Sequence, residues 1–118
     1  MEGNIVSEKS FGFAVRIVKL CKHLCHDKQE YVLSKQLLKS GTSIGANINE
    51  AQAAQSRADF IAKMAIASKE ARESKYWIKL MIETDYLDKN SQHVKSLQND
   101  IDEIVKLLTA IVKTSQKG

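Results

Sequence analysis

Proline is absent from this 118-residue chain, so nothing in it forces a helix to stop. Glycine is scarce, five residues with one of them terminal, and aromatic residues make up only 6%. No alternating β-branched run occurs, which leaves a sheet little to build on. No apolar run approaches the ~20 residues that a membrane-spanning helix needs. The opening stretch MEGNIVSEKSFGFAVRI lacks a basic region followed by an apolar signal core. The two cysteines, Cys21 and Cys25, stand one helical turn apart, where a disulfide would strain the helix. They read as free thiols, and the chain as a cytoplasmic protein without a membrane partner.

What is present suits helices. Apolar residues form 43% of the chain, enough for one core and a single domain over 1–118. A formal net charge of +4 permits an acidic or nucleic-acid partner without requiring one. Residues 1–8 are polar and are expected to be loose. The positions Phe13, Ile17, Leu20, Cys21 and Leu24 recur at three and four, which predicts a first helix over about 8–26. Arg16, Lys19, His23 and His26 fall opposite that stripe. A second helix over about 29–53 has the stripe Leu33, Leu37, Ile44, Ile48 and Ala51.

Ser56, three residues before Asp59, predicts the capped start of a third helix over about 57–86. Phe60, Met64, Ala67, Ala71, Ser74, Ile78 and Met81 repeat at 4, 3, 4, 3, 4, 3, a coiled-coil-like seam. A fourth helix, about 91–115 and capped by Asn90 or Ser91, carries Val94, Leu97, Ile101, Ile104, Leu108 and Ile111. Short loops between four helices predict an all-α, antiparallel up-down-up-down bundle.

Two glycines sit inside the second helix. Gly41 and Gly45 each cost about 1 kcal/mol relative to alanine there, which calls for a reason. Close approach of another backbone is one; a break at Ser40-Gly41-Thr42 is the alternative. The third helix has a second apolar stripe, Ile66, Trp77 and Leu80, interleaved with Glu70 and Glu73. A helix apolar on two faces must bury both, which points to a subunit interface formed by Gly41, Gly45, Ile66, Glu70, Glu73, Trp77 and Leu80. The alternative is that Trp77 caps the monomer core. Gln36, Ser43, Asn47 and Glu50 edge the second helix and, with Glu70 and Glu73, suit a partly buried polar network.

Opposite the seam, Lys69, Arg72, Tyr76 and Lys79 share one face of the third helix at spacings of three, four and three. Three cations and an aromatic ring on one face suit contact with phosphates and stacking on a base. Lys35 and Lys39 on the second helix, and Arg16, Lys19 and Lys22 on the first, extend such a surface. The plainer reading is a solvated face with Lys79 and Glu83 as an i,i+4 pair. Chemistry beyond binding has no foothold in the sequence. No Glu-x-x-His, glycine-rich phosphate loop, nucleophile elbow or Ser-His-Asp order occurs, so no enzyme, cofactor or metal is expected. Cys21, His23, Cys25 and His26 cannot all reach one metal, since His23 points away from the cysteines on a helix.

The run Ser40-Gly41-Thr42-Ser43-Ile44-Gly45-Ala46-Asn47-Ile48, then Glu50-Ala51, Ser56, Asp59-Phe60, Lys69-Glu70-Ala71 and Tyr76-Trp77, closely resembles one family. These are the four-helix-bundle proteins encoded within intervening sequences of bacterial 23S ribosomal RNA genes, with their free-standing relatives. The resemblance spans roughly residues 11–87. It implies an antiparallel bundle, assembly as a homopentameric barrel, and no catalytic residues to carry over. A more distant relative, the accessory protein of diversity-generating retroelements, is a similar barrel with a basic surface that binds a reverse transcriptase and nucleic acid. By that resemblance the partners expected are further copies of the chain, RNA or DNA, and a second protein. A structural or protein-interaction scaffold without nucleic-acid affinity is the other reading.

Overall fold

The computed structural model describes residues 2–117 and contains four helices and no strand among them: α1 (Glu2–Asp27), α2 (Val32–Gln52), α3 (Arg57–Glu83) and α4 (Gln92–Lys117). They form a bundle of 46 × 22 × 19 Å. Each helix packs against two others, α1 and α3 both touching α2 and α4. The diagonal pairs α1/α3 and α2/α4 do not touch among the described residues. Lys9 meets Glu103 and Arg16 meets Asp100 across α1 and α4, while Arg57 meets Ser115 and Lys75 meets Asp102 across α3 and α4.

The four apolar stripes converge on one core, from Phe13, Ile17 and Leu24 through Leu37, Ile44 and Ile48 to Met64, Ile78, Leu97 and Leu108. All six stripe residues of α4 are buried, as are those of α3 except the half-buried Phe60. On α2, Leu33 lies at the margin, and Ser34, Ser40 and Gly41 go inside with the apolar positions. Small residues bring this seam close: Ser74 of α3 donates a hydrogen bond of 2.9 Å to the Ser40 hydroxyl of α2. Helix α2 runs through Ser40-Gly41-Thr42 without a break.

The first turns of α1 differ from expectation. The segment 1–8 was expected to be loose, yet the helix begins at Glu2 and Val6 is fully buried; Met1, like Gly118, lies outside the described residues. Packing of Val6 on the core carries the helix through this polar stretch, since tertiary packing supplies more helical stability than local propensity does.

The helix ends follow local chemistry. Helix α1 stops where Gln29 takes φ 53°, which lets the Glu30 amide bond back to the Leu24 carbonyl at 3.0 Å. The same device ends α3 at Glu83 rather than near Tyr86: Asp85 takes φ 67°, and the Tyr86 amide returns to Met81 at 2.9 Å. Helix α2 starts three residues later than its apolar pattern predicts. Glu30, not a serine or asparagine, caps it, its carboxylate accepting from the amides of Leu33 (3.1 Å) and Ser34 (2.8 Å). Burial works against the Glu30 charge, but the amide donors outweigh it and hold the carboxyl below its ordinary value. Ser56 caps α3 through the Asp59 amide at 3.1 Å, and Ser91 caps α4 through the Val94 amide at 3.4 Å.

Candidate functional site

Helix α3 supplies the basic face. Its Lys69, Arg72, Tyr76 and Lys79 all stand in solvent, Tyr76 at 58% exposure. Arg72 leans toward α4, where its guanidinium donates to Thr109 Oγ1 at 3.2 Å. Lys79 lines the groove between the same two helices, beside Gln98, Ile101 and Asp102. Thr109 is the register mark. Lys106 precedes it by three residues and Lys113 follows by four, so both share its face of α4. Both are exposed. None of Lys69, Arg72, Lys79, Lys106 and Lys113 forms an ion pair among the described residues.

The basic face therefore continues onto α4, and not onto α1 as expected from sequence. Helix α1 lies diagonally across the bundle from α3, so Arg16, Lys19 and Lys22 cannot extend its patch. Arg16 is not a free cation either. Its guanidinium reaches Asp100 Oδ2 at 2.6 Å, Ser96 Oγ at 3.0 Å and the His93 carbonyl at 3.0 Å, clamping α1 to α4. Lys19 is exposed on α1. Lys35 and Lys39 are exposed on α2, and Lys39 lies on the α3 side, close enough for its charge to act on Glu70. The spacing of Lys106 and Lys113 was visible in the sequence; which neighbour they would sit beside was not.

The seven interface candidates separate into two places. Gly41 and Gly45 face α1 of the same chain: a Cβ on Gly41 would come within 3.0 Å of both Ile17 γ-carbons, and one on Gly45 would lie 3.4 Å from Ser10 Oγ. Gly41 is buried there and offers nothing to a second subunit, which corrects its assignment. Close approach within the monomer is the reason for Gly41, whereas a Cβ at Gly45 would make only ordinary contact. Ile66, Glu70, Glu73, Trp77 and Leu80 lie along the other flank of α3. Ile66 is 42% exposed, while Trp77 is half-buried against the core with its ring edge-on to Tyr76 at 5.1 Å. The indole N–H of Trp77 is buried and has no hydrogen-bond partner among the described residues.

Glu70 is half-buried and forms no ion pair among the described residues. Burial, with Glu73 nearby, pushes its carboxyl above the ordinary range, against the pull of Lys69 and Lys39. Among the described residues the expected polar network does not span the helices. Asn47 donates to the Ser43 carbonyl at 2.8 Å, one turn back on α2 itself.

Near the end of α1, the buried Cys21 is set apart from the imidazoles. Cys21 is buried, donates to the Ser34 carbonyl at 3.3 Å, and has its thiol pushed up to about 11 by burial first, then by Cys25 and Glu30. Both cysteines are free thiols. His23 and His26 turn to Asp27, at 2.7 and 2.9 Å, and with Lys22, Cys25 and Tyr31 line an open hollow of about 730 Å³. The His26 hydrogen bond, with smaller help from His23, holds the Asp27 carboxyl below its ordinary value. Among the described residues no group of three or more His, Cys, Asp or Glu side chains is placed to hold a metal. No described helix is long and apolar enough to cross a membrane.

The model of the 23S rRNA-intervening sequence protein family matches residues 2–110. A solved structure from Bacteroides thetaiotaomicron VPI-5482, described as a protein of unknown function from the S23 ribosomal protein family, is 55% identical in sequence. It superposes with a TM-score of 0.90 over 96% of this chain and 99% of its own. No curated protein matches.

Proposed function

The chain belongs to the 23S rRNA-intervening sequence protein family, and from that premise we propose that it is a non-enzymatic, oligomeric module that binds RNA or DNA through the basic face of α3 and α4. The observation that carries the reading is Arg72 set on Thr109 between Lys106 and Lys113, with Lys69 and Lys79 to either side along α3. Five cations that form no ion pair among the described residues favour a polyanion, and a phosphodiester backbone is one with charges at regular spacing. Tyr76 supplies an exposed ring on which an unpaired base can stack. The bundle acts in the cytoplasm, with its helices antiparallel in up-down-up-down order, a topology supported by the register of Lys9 on Glu103 and Arg16 on Asp100. It assembles as a homopentamer, which repeats the face and multiplies weak contacts. A second protein docks on the assembly in this reading.

The test is anisotropy of a labelled single-stranded RNA and a duplex DNA titrated with the protein at several salt concentrations. Binding is expected to weaken steeply with salt, with a slope on the order of −3 in log K against log salt, about 0.7 per phosphate contacted on a single strand. Reversing Arg72 and Lys79 together to glutamate should abolish it with helix content unchanged. Absence of binding at ~50 mM salt would leave the family fold as a scaffold for protein partners.

A further inference from the structure

The groove between α3 and α4 continues past the basic face. Arg72 meets Thr109, Lys75 pairs with Asp102 at 3.0 Å, and Lys79 and Gln98 come next along the same two helices. Two turns of helix, about 10 Å, separate Arg72 from Lys79. At the Lys79 end the groove opens into a hollow of about 200 Å³. The buried Ile78 and Ile101 floor it, and the half-buried Ile82 forms a wall. That volume is below the ~300–1,000 Å³ of pockets for drug-sized ligands and suits a single flat ring.

The charges around the hollow favour an uncharged guest. Lys75 and Lys79 are matched there by Glu83 and Asp102, so a phosphate gains nothing inside that the open basic face lacks. What the hollow offers is polar recognition. Arg16 takes Ser96 and Asp100, and Arg72 takes Thr109, whereas the half-buried carboxamide of Gln98 forms no hydrogen bond among the described residues. Lys75 sits on Oδ1 of Asp102, and Oδ2 has no partner among them. An amide that donates and accepts stands one turn from a carboxylate oxygen that only accepts. Together they match a base edge with an amino group beside a ring nitrogen.

We propose that this hollow takes one unpaired base of a bound strand and selects cytosine and adenine, which carry such an amino group, over uracil and thymine. The site depends on the nucleic-acid reading above, to which it adds a sequence preference. With phosphates on Arg72 and Lys79, the amino group donates to Gln98 Oε1 and Asp102 Oδ2, and the ring nitrogen accepts from Gln98 Nε2. Uracil has a carbonyl where the amino group stands. Gln98 can turn its amide over to suit that edge. Asp102 cannot, and two acceptors would face each other.

The experiment is fluorescence anisotropy with labelled octamers of cytidine and of uridine, pyrimidines of one size that differ at this edge. The wild-type protein is expected to bind the cytidine octamer on the order of tenfold more tightly. Asp102→Asn should bring the two affinities together, since an amide can donate to the uracil carbonyl. Gln98→Ala should weaken the cytidine octamer without changing its salt dependence, because no phosphate contact is lost. Both side chains reach solvent, and circular dichroism checks that helix content is kept. Equal affinity of the wild type for the two octamers overturns the base site, whatever either variant does, and leaves the basic face standing. A cytidine preference that survives both substitutions overturns it as well. Binding of neither octamer overturns the nucleic-acid reading, and the base site with it.

Discussion

Helix α1 is joined to its two neighbours by opposite means. Against α2 it closes with almost no polar chemistry: Ile17 sits on the bare backbone of Gly41 and Ser10 near Gly45, with the Cys21 thiol bonded to the Ser34 carbonyl. Against α4 it is held by long charged side chains, Lys9 to Glu103 and Arg16 to Asp100, at half-exposed sites. Where a Cβ would meet a core side chain at 3.0 Å, as at Gly41, the seam has fixed volume and tolerates no addition, because a close-packed interior cannot give way cheaply. A seam of exposed ion pairs is screened by solvent and contributes little per pair. Stability along α1 should therefore depend sharply on the α2 flank and weakly on the α4 flank.

The largest effect should come from Ile17. Truncation to alanine is expected to cost ~2–5 kcal/mol in chemical denaturation, and Gly41→Ala alone ~1–2 kcal/mol, the overlap outweighing its helix-propensity gain. Since the two changes fill and empty the same space, the double variant should cost clearly less than their sum. Simple additivity would mean that Gly41 is not held small by Ile17. Next in size, Glu30→Ala should cost about 1 kcal/mol by uncapping α2.

Glu30 also adds a pH dependence. Its folded carboxyl lies below the ordinary 4.5, so its contribution is fully present above 4.5 and is lost as pH falls from there through the lower folded value. The variant should therefore show a shallower loss of stability below pH 4.5 than the parent protein. An acid limb of unchanged slope would remove Glu30 from the account.

Gly45 gives the internal control. A Cβ there meets Ser10 at 3.4 Å or more, ordinary contact, so Gly45→Ala should stabilise by ~0.5–1 kcal/mol, opposite in sign to Gly41→Ala. If both changes act in the same direction, the 0.4 Å difference between the sites decides nothing. The smallest effect belongs to the α4 flank. Arg16→Gln is expected to cost under ~1 kcal/mol and to lose part of even that at high salt. A cost several times larger would place Arg16 with the core.

Much of this was legible beforehand because helical periodicity is a local property. The stripes of α3 and α4 fall inside as their spacing requires, and Ser56 and Ser91 cap where their hydroxyls can reach a free amide. The glycines announced a close approach. They could not say to what, since a missing Cβ fits a neighbouring helix and a neighbouring subunit equally well. Glu30 escaped notice because a carboxylate capping from outside the first turn has no short motif. Arg16 looked like a surface cation because its clamp, Asp100, is 84 residues away in sequence.

Four helices, their inward faces and their family follow from the chain's residues alone, since each is written in spacings of three and four residues or in a continuous motif. Which outward faces became neighbours was settled by the packing of the bundle. It set Arg72 beside the lysines of α4 and separated it from those of α1 by the width of the bundle. It also left Phe11, Val15 and Val18 uncovered, a consequence of four cylinders meeting in pairs: each helix can hide only the sides that its two neighbours reach.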